Sequence, residues 1–169
     1  PPRSTLFPYT TLFRSGMQNL WHASPEKANV LAHISGGRPG YAHNLLTDQE
    51  VGKRRKSALE TLFTLLAASR VVRFAYVEKH YTNKEGIRVL LQNWLSVWRD
   101  VLIVAAGAKT PVQNIDHLQK IQELARDFGM QQAKNMVFTL DRTMSLLDKN
   151  VNPRLALEVL MLDLPFTNS

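Results

Sequence analysis

Hydrophobic positions recur at three- and four-residue intervals in one segment after another, and glycine or proline stands where most of these runs stop or start. The spacing predicts helices. A first short helix opens on Ser24-Pro25-Glu26, which supplies an N-cap, a first-turn proline and an early acid, and it closes after Ile34 on Ser35-Gly36-Gly37. A second opens around Pro39 and carries Tyr41, Ala42, Leu45 and Leu46, making a helix-turn-helix pair. From Asp48 onward the segments lengthen. Leu59, Leu62, Phe63 and Leu66 give one apolar face behind the charged start Lys53-Arg54-Arg55-Lys56. Ser69 to Tyr81 carries both periods: Val72, Phe74 and Tyr76 alternate as in a strand, whereas Phe74, Val77 and Tyr81 fit a helix. Helix is preferred, because no partner strand is visible elsewhere.

Asn83 to Ala106 is the longest periodic stretch, with Ile87, Leu91, Trp94, Trp98, Val101 and Leu102 on one broad face, and it ends before Gly107 and Pro111. Asn114 to Phe128 places Leu118, Ile121, Leu124, Ala125 and Phe128 on one side, with Gly129 as the residue just past the end. Met130, Ala133, Val137, Leu140, Met144 and Leu147 then repeat with heptad-like spacing. Beyond Asn150 to Asn152, Pro153 starts a last helix, Arg154 to Leu164, that is apolar on nearly every side and so must be buried or shared between subunits. The expected fold is all-α: a short helix-turn-helix piece followed by a bundle of five to six longer helices.

The first fifteen residues stand apart from this pattern. They hold three prolines, a near-repeat of Thr-Leu-Phe and no clear period. Back-translated, the segment resembles a short-read sequencing adapter, so residues 1–15 are expected to be an artefact, disordered and irrelevant to the fold. An adapter fused in frame usually replaces lost coding sequence, which makes the chain a C-terminal fragment on this reading. Without Arg3 and Arg14 the balance falls from 21 basic and 14 acidic residues to 19 and 14, weakening the case for an acidic partner. The absence of cysteine rules out disulfides, thiolate metal sites and a cysteine nucleophile. The longest apolar run, Val101 to Ala108, is far below the roughly 20 residues of a membrane span.

Catalytic patterns are missing from the sequence. His22, His33, His43, His80 and His117 show no HExxH spacing, no G-x-S-x-G elbow occurs, and the carboxylates are scattered singly. Three local features remain. The run Ser35-Gly36-Gly37-Arg38-Pro39-Gly40-Tyr41-Ala42 is either a tight inter-helix turn or an anion site, though it lacks the Lys-[Ser/Thr] pair of a P-loop. Trp94 and Trp98, followed by Arg99-Asp100, are either core or a subunit interface. Lys53 to Lys56 is either a solvated helix start or a phosphate-backbone contact.

Four blocks taken in order resemble the C-terminal part of the delta-prime subunits of the bacterial DNA polymerase III clamp loader. They are Ala32 to Ala42, Trp94 to Leu102, Asn114-Ile115-Asp116, and Asn150-Val151-Asn152-Pro153-Arg154-Leu155-Ala156-Leu157-Glu158. The resemblance implies that 16–47 is the end of an AAA+ lid, 48–165 a helical collar that oligomerises, and 166–169 a tail. The AAA+ core, with its zinc-binding cysteines and arginine finger, would then lie upstream. It implies a vestigial nucleotide-sensing turn at Gly36, Gly37, Arg38, Pro39 and Gly40, because Gly40 stands where ATP-binding relatives carry the sensor-2 arginine.

Subunit interface or packing is implied for Trp94, Trp98, Arg99, Asp100, Val137, Leu140, Met144, Asn150, Asn152 and Leu155. No catalytic, metal or cofactor residue is expected in the chain itself; ATP would be bound by neighbouring subunits. The implied partners are gamma/tau and delta clamp-loader subunits, with the sliding clamp and primed DNA met only through the whole complex of this DNA-directed DNA polymerase. A bacterial cytoplasmic location and no membrane association go with it. Two other readings predict different behaviour: the lid and collar of a gamma/tau-type ATPase, and a stand-alone helical DNA-binding protein using Lys53 to Lys56 with Arg70 and Arg73.

Overall fold

Among the described residues from Pro25 onward, four of the seven α-helices start where the sequence offers a side-chain oxygen to the orphan N–H groups of the first turn. Ser24 accepts from the Lys27 N–H at 3.3 Å, Asp48 from Glu50 at 2.8 Å, Asn83 from Gly86 at 2.9 Å and Asn152 from Arg154 at 3.0 Å. The computed structural model describes residues 15–19, 21, 24–149 and 151–167. A short helical stretch over 15–19 precedes α1 (Pro25–Ile34), α2 (Pro39–Thr47), α3 (Gln49–Ala67), α4 (Arg70–His80) and α5 (Lys84–Ala105). A 3-10 turn (Ile115–His117), α6 (Leu118–Asp148) and α7 (Pro153–Asp163) complete the order, and no strand occurs among the described residues. The all-α architecture is the one the spacing predicts, including helix over the ambiguous stretch now seen as α4.

The main core lies along α5. Its inner face packs chiefly on α6 and also on α3, while α7 closes the bundle against α6 and α4. Trp94 and Trp98 are fully buried there; Trp94 donates its indole N–H to the Ala58 carbonyl at 2.8 Å, and the Trp98 ring lies 5.6 Å from that of Phe128. Truncating an indole so placed costs about 3–5 kcal/mol. A smaller core unites Met17 with Ala28, Leu31, Ala32 and Ala42, and α1 and α2 are joined through Gly36 and Gly37 at φ +56° and +78°. Side chains other than glycine pay a steric penalty in that region.

Two expectations need correction, the start at Asn114 and the position of the seam, while the break at Gly129 is as expected and the alternatives for α7 narrow to one. The helix foreseen from Asn114 starts as the 3-10 turn and becomes α-helical only at Leu118, because Asn114 is engaged by hydrogen bonds described below. α6 consists of two helical segments meeting at Gly129, whose φ of +67° and ψ of 178° break the ladder at the residue predicted to end the first one. The seam of the second segment is centred on Ala133, Met136, Leu140 and Thr143, with Val137, Met144 and Leu147 half-buried beside it and Met130 exposed. The heptad-like spacing therefore locates the seam one side-chain row off its centre. Of the two alternatives for α7, complete burial within the chain does not hold: Ala156, Leu157, Leu160 and Met161 face inward, whereas Leu155, Val159 and Leu162 are 55%, 48% and 50% exposed, which leaves the shared helix. Residues 1–14, His22, Asn150 and 168–169 lie outside the described residues, and Ser15 opens the helical stretch over 15–19.

Candidate interaction surfaces

Three of the separated sequence blocks meet at one polar lock. Asp100, nearly buried on α5, accepts from the Gln113 N–H at 2.9 Å and from the Asn114 N–H and side-chain amide at 2.7 and 2.8 Å. Asn114 in turn accepts from Arg55 Nη2 at 2.7 Å, and Arg55 forks onto both oxygens of Asp116 at 2.6 and 2.9 Å. Each of these side chains has a partner, which is what makes such a buried network stabilising. The connection it fixes reaches α1: Gln113 donates to the Ile34 carbonyl at 2.6 Å, and His33 Nδ1 lies 3.2 Å from the Val112 carbonyl. Asp100 and the Asn114–Asp116 block thus act inside the chain, holding the α1–α2 pair to the bundle.

The glycine turn is a tight inter-helix turn. Ser35 is buried and its hydroxyl donates to the Ala32 carbonyl, while Arg38 folds back, giving Nε to the Ser35 carbonyl at 3.0 Å and lying 4.9 Å above the Tyr41 ring. Burial raises the Tyr41 pKa, and the charges of Arg55 and Arg38 pull it the other way. Pro39 and Gly40 are exposed at the start of α2.

Between this turn, the start of α3, the outer stripe of α5 and the second segment of α6 lies a cleft of about 750 Å³. Arg38, Arg54, Arg55, Arg88 and Arg99 line it, against Asp141 and Asp148. Arg55 is committed to the lock and Arg88 pairs with Asp148. Arg54 and Arg99 are exposed and have no ion-pair or hydrogen-bond partner among the described residues. Of the residues expected at an interface, Arg99 therefore faces this cleft, Trp94, Trp98 and Leu140 face the core, and Asn152 caps α7. Leu155 alone of that group presents a large apolar surface to solvent.

Arg73 carries a role that periodicity does not reveal. It is fully buried, giving Nε to the Leu65 carbonyl at 2.8 Å and its two Nη groups to the carbonyls of Met161, Leu164, Leu66 and Pro165, with the Phe166 ring 3.8 Å away. A charged residue on the face shared with Val77 is the available signal. With Arg73 and Arg55 both buried, the surface invoked for a stand-alone DNA-binding protein loses two of its cations. Among the described residues no group of three or more His, Asp or Glu side chains could hold a metal, and no helix is long and apolar enough to cross a membrane.

Residues 49–165, from the first residue of α3 to just past α7, match the family described as DNA polymerase III, delta subunit, C terminal. The chain belongs to this family. Neither the curated proteins nor the solved structures offer a match. Membership places the bundle with the clamp-loader machinery of DNA replication, and α1 and α2 lie outside the matched span.

Proposed function

We propose that the chain is the C-terminal end of a delta-prime-type subunit, with 16–47 the tail of an AAA+ lid and 48–165 a collar that assembles with gamma/tau and delta subunits in the bacterial cytoplasm. The observation that carries this reading is the outward stripe of α7. Leu155, Val159 and Leu162, at i, i+4 and i+7, lie on the matched bundle and are about half exposed, with Phe166 exposed just beyond the helix. A row of large apolar side chains on a helix already packed on its other side is an association surface. The work is architectural: collar packing holds neighbouring AAA+ domains so that an arginine of one subunit completes the ATP site of the next. ATP stays with those neighbours, and the clamp and primed DNA are met by the complex. Gly40, where a nucleotide-sensing lid carries arginine, supports delta-prime over a gamma/tau-type ATPase.

Co-expression with gamma/tau and delta tests the proposal. The full chain is expected to co-purify with them, and Val159→Glu combined with Leu162→Glu to reduce recovery at least tenfold while the helical circular dichroism stays unchanged, since both side chains face solvent. Equal recovery of this variant and the unaltered chain would overturn the assembly role.

A further inference from the structure

The cleft beside α5 is used by neither the core nor the α7 stripe. We infer that it is a docking groove for an extended acidic peptide segment carrying apolar side chains. Arg88, Gln92, Ser96 and Arg99 form one stripe along α5, about 16 Å from end to end at 1.5 Å per residue. An extended peptide of about five residues spans that distance. Arg54 and Arg99 offer free guanidiniums, suited to forked bonds with carboxylates. Asn44, Gln92 and Asn93 offer both donors and acceptors, which suits a peptide backbone with its N–H and C=O groups. Val51, Val89, Leu95 and Met144 add apolar wall for a hydrophobic side chain.

A DNA strand fits less well. Its sugar-phosphate backbone has acceptors only, so the amide oxygens of the cleft would find no donor there, whereas a peptide backbone supplies N–H groups at every residue except proline. Sequence-tolerant strand binding also relies on aromatic stacking platforms; Tyr41 is the one aromatic residue lining the cleft among the described residues, and Arg38 lies over its ring. Selectivity would come from the two free guanidiniums, Arg54 and Arg99, together with apolar contact along the cleft wall.

The test uses the full chain and a fluorescein-labelled nonapeptide with the repeat Asp-Asp-Leu, followed by anisotropy. Saturable binding is expected, with Arg54→Glu and Arg99→Glu each weakening it about tenfold or more. Both arginines are exposed and unpaired, so these variants should fold normally. Lys134→Glu, the same charge change on α6 outside the cleft, should leave affinity within about twofold. A nonapeptide with the repeat Lys-Lys-Leu should not bind. Absence of saturable binding, or equal weakening by Lys134→Glu, would overturn the proposal. Equally tight binding of a ten-nucleotide oligodeoxythymidylate that displaces the peptide would assign the groove to nucleic acid instead. All these outcomes are independent of co-purification with gamma/tau and delta, because the α7 stripe is untouched.

Discussion

Two arginines are buried at the two ends of α3, and their hydrogen-bond donors are satisfied in different ways. Arg55, near its start, meets a carboxylate and an amide from the 107–117 connection. Arg73, reaching in from α4 to the end of α3, meets five backbone carbonyls and an aromatic face but no carboxylate. The second arrangement works because those carbonyls belong to the C-terminal turns of α3 and α7 and to the chain just after α7. Carbonyls at a helix C-terminus are short of ladder donors and form the negative end of the helix dipole; Leu65 and Leu66 also accept from the Ala68 and Thr167 N–H groups at 3.3 and 3.1 Å. Burial, and secondarily the nearby Arg70, lower the Arg73 pKa from its ordinary value. A guanidinium starts so far above neutrality that it stays protonated. One end of α3 is closed by an ion pair, the other by a cation that caps two helices at once.

The difference implies unequal losses. Arg73→Met should be the most destabilising change considered, by about 3–5 kcal/mol in urea unfolding, since it strands several buried carbonyls that water cannot reach. Arg73→Lys should recover only a minor part, because one ammonium cannot serve acceptors spread around a planar fork. Full rescue by lysine would mean that charge alone matters at this end, and the contrast with Arg55 would collapse.

Arg55→Met should cost less, about 1–3 kcal/mol, because the Asp116 side chain is 30% exposed and water can solvate the carboxylate left behind. A double-mutant cycle with Asp116→Asn should give a coupling of about 1–2 kcal/mol. Hydrogen exchange sharpens the point: Arg55→Met should speed exchange at Asn114 and around Ile34, which the same connection holds, while leaving α7 protected. Arg73→Met should show the reverse pattern. If both variants loosen the whole molecule equally, the two ends of α3 are not separate units.

Much of this fold is legible as periodicity. Leu59, Leu62 and Leu66 on α3, and Ile87, Leu91, Trp94, Trp98 and Val101 on α5, recur at helical spacing and are buried. Ser24, Asp48 and Gly129 act as punctuation because caps and left-handed residues are local chemistry. The polar lock and the Arg73 cap are not legible in this way. Their partners are 59 to 61 residues apart for Arg55 and up to 92 for Arg73, and no short-range pattern encodes such a pairing. The sequence leaves the outward half of α7 open for a related reason: hydrophobicity on both sides of a helix says that both must be covered, not that this chain covers both. The cleft is hidden because its stripe on α5 shares a helix with the core, whose apolar signal is the stronger.

His80 is the useful counter-case, on the same helix as Arg73 but without acceptors. Its ring stacks on Tyr76 at 4.3 Å, and its Nδ1 is buried with no hydrogen-bond partner. Protonation would create a donor at Nδ1 facing nothing, so burial, and secondarily Lys79, hold its pKa below the ordinary histidine value. Because the folded-state pKa lies below the unfolded one, the unfolded chain takes up this proton first as pH falls. His80 therefore has no pH-dependent effect well above about 6.5 and destabilises the fold progressively below it, until the depressed folded pKa is reached. His80→Phe keeps the stack and removes the proton site. Its urea midpoint should fall less between pH 7 and pH 5 than that of the unaltered chain, the smallest of the three effects. An identical fall in both proteins would mean that Nδ1 finds an acceptor when protonated, and that burial without carbonyls does not by itself exclude a cation at this end of the bundle.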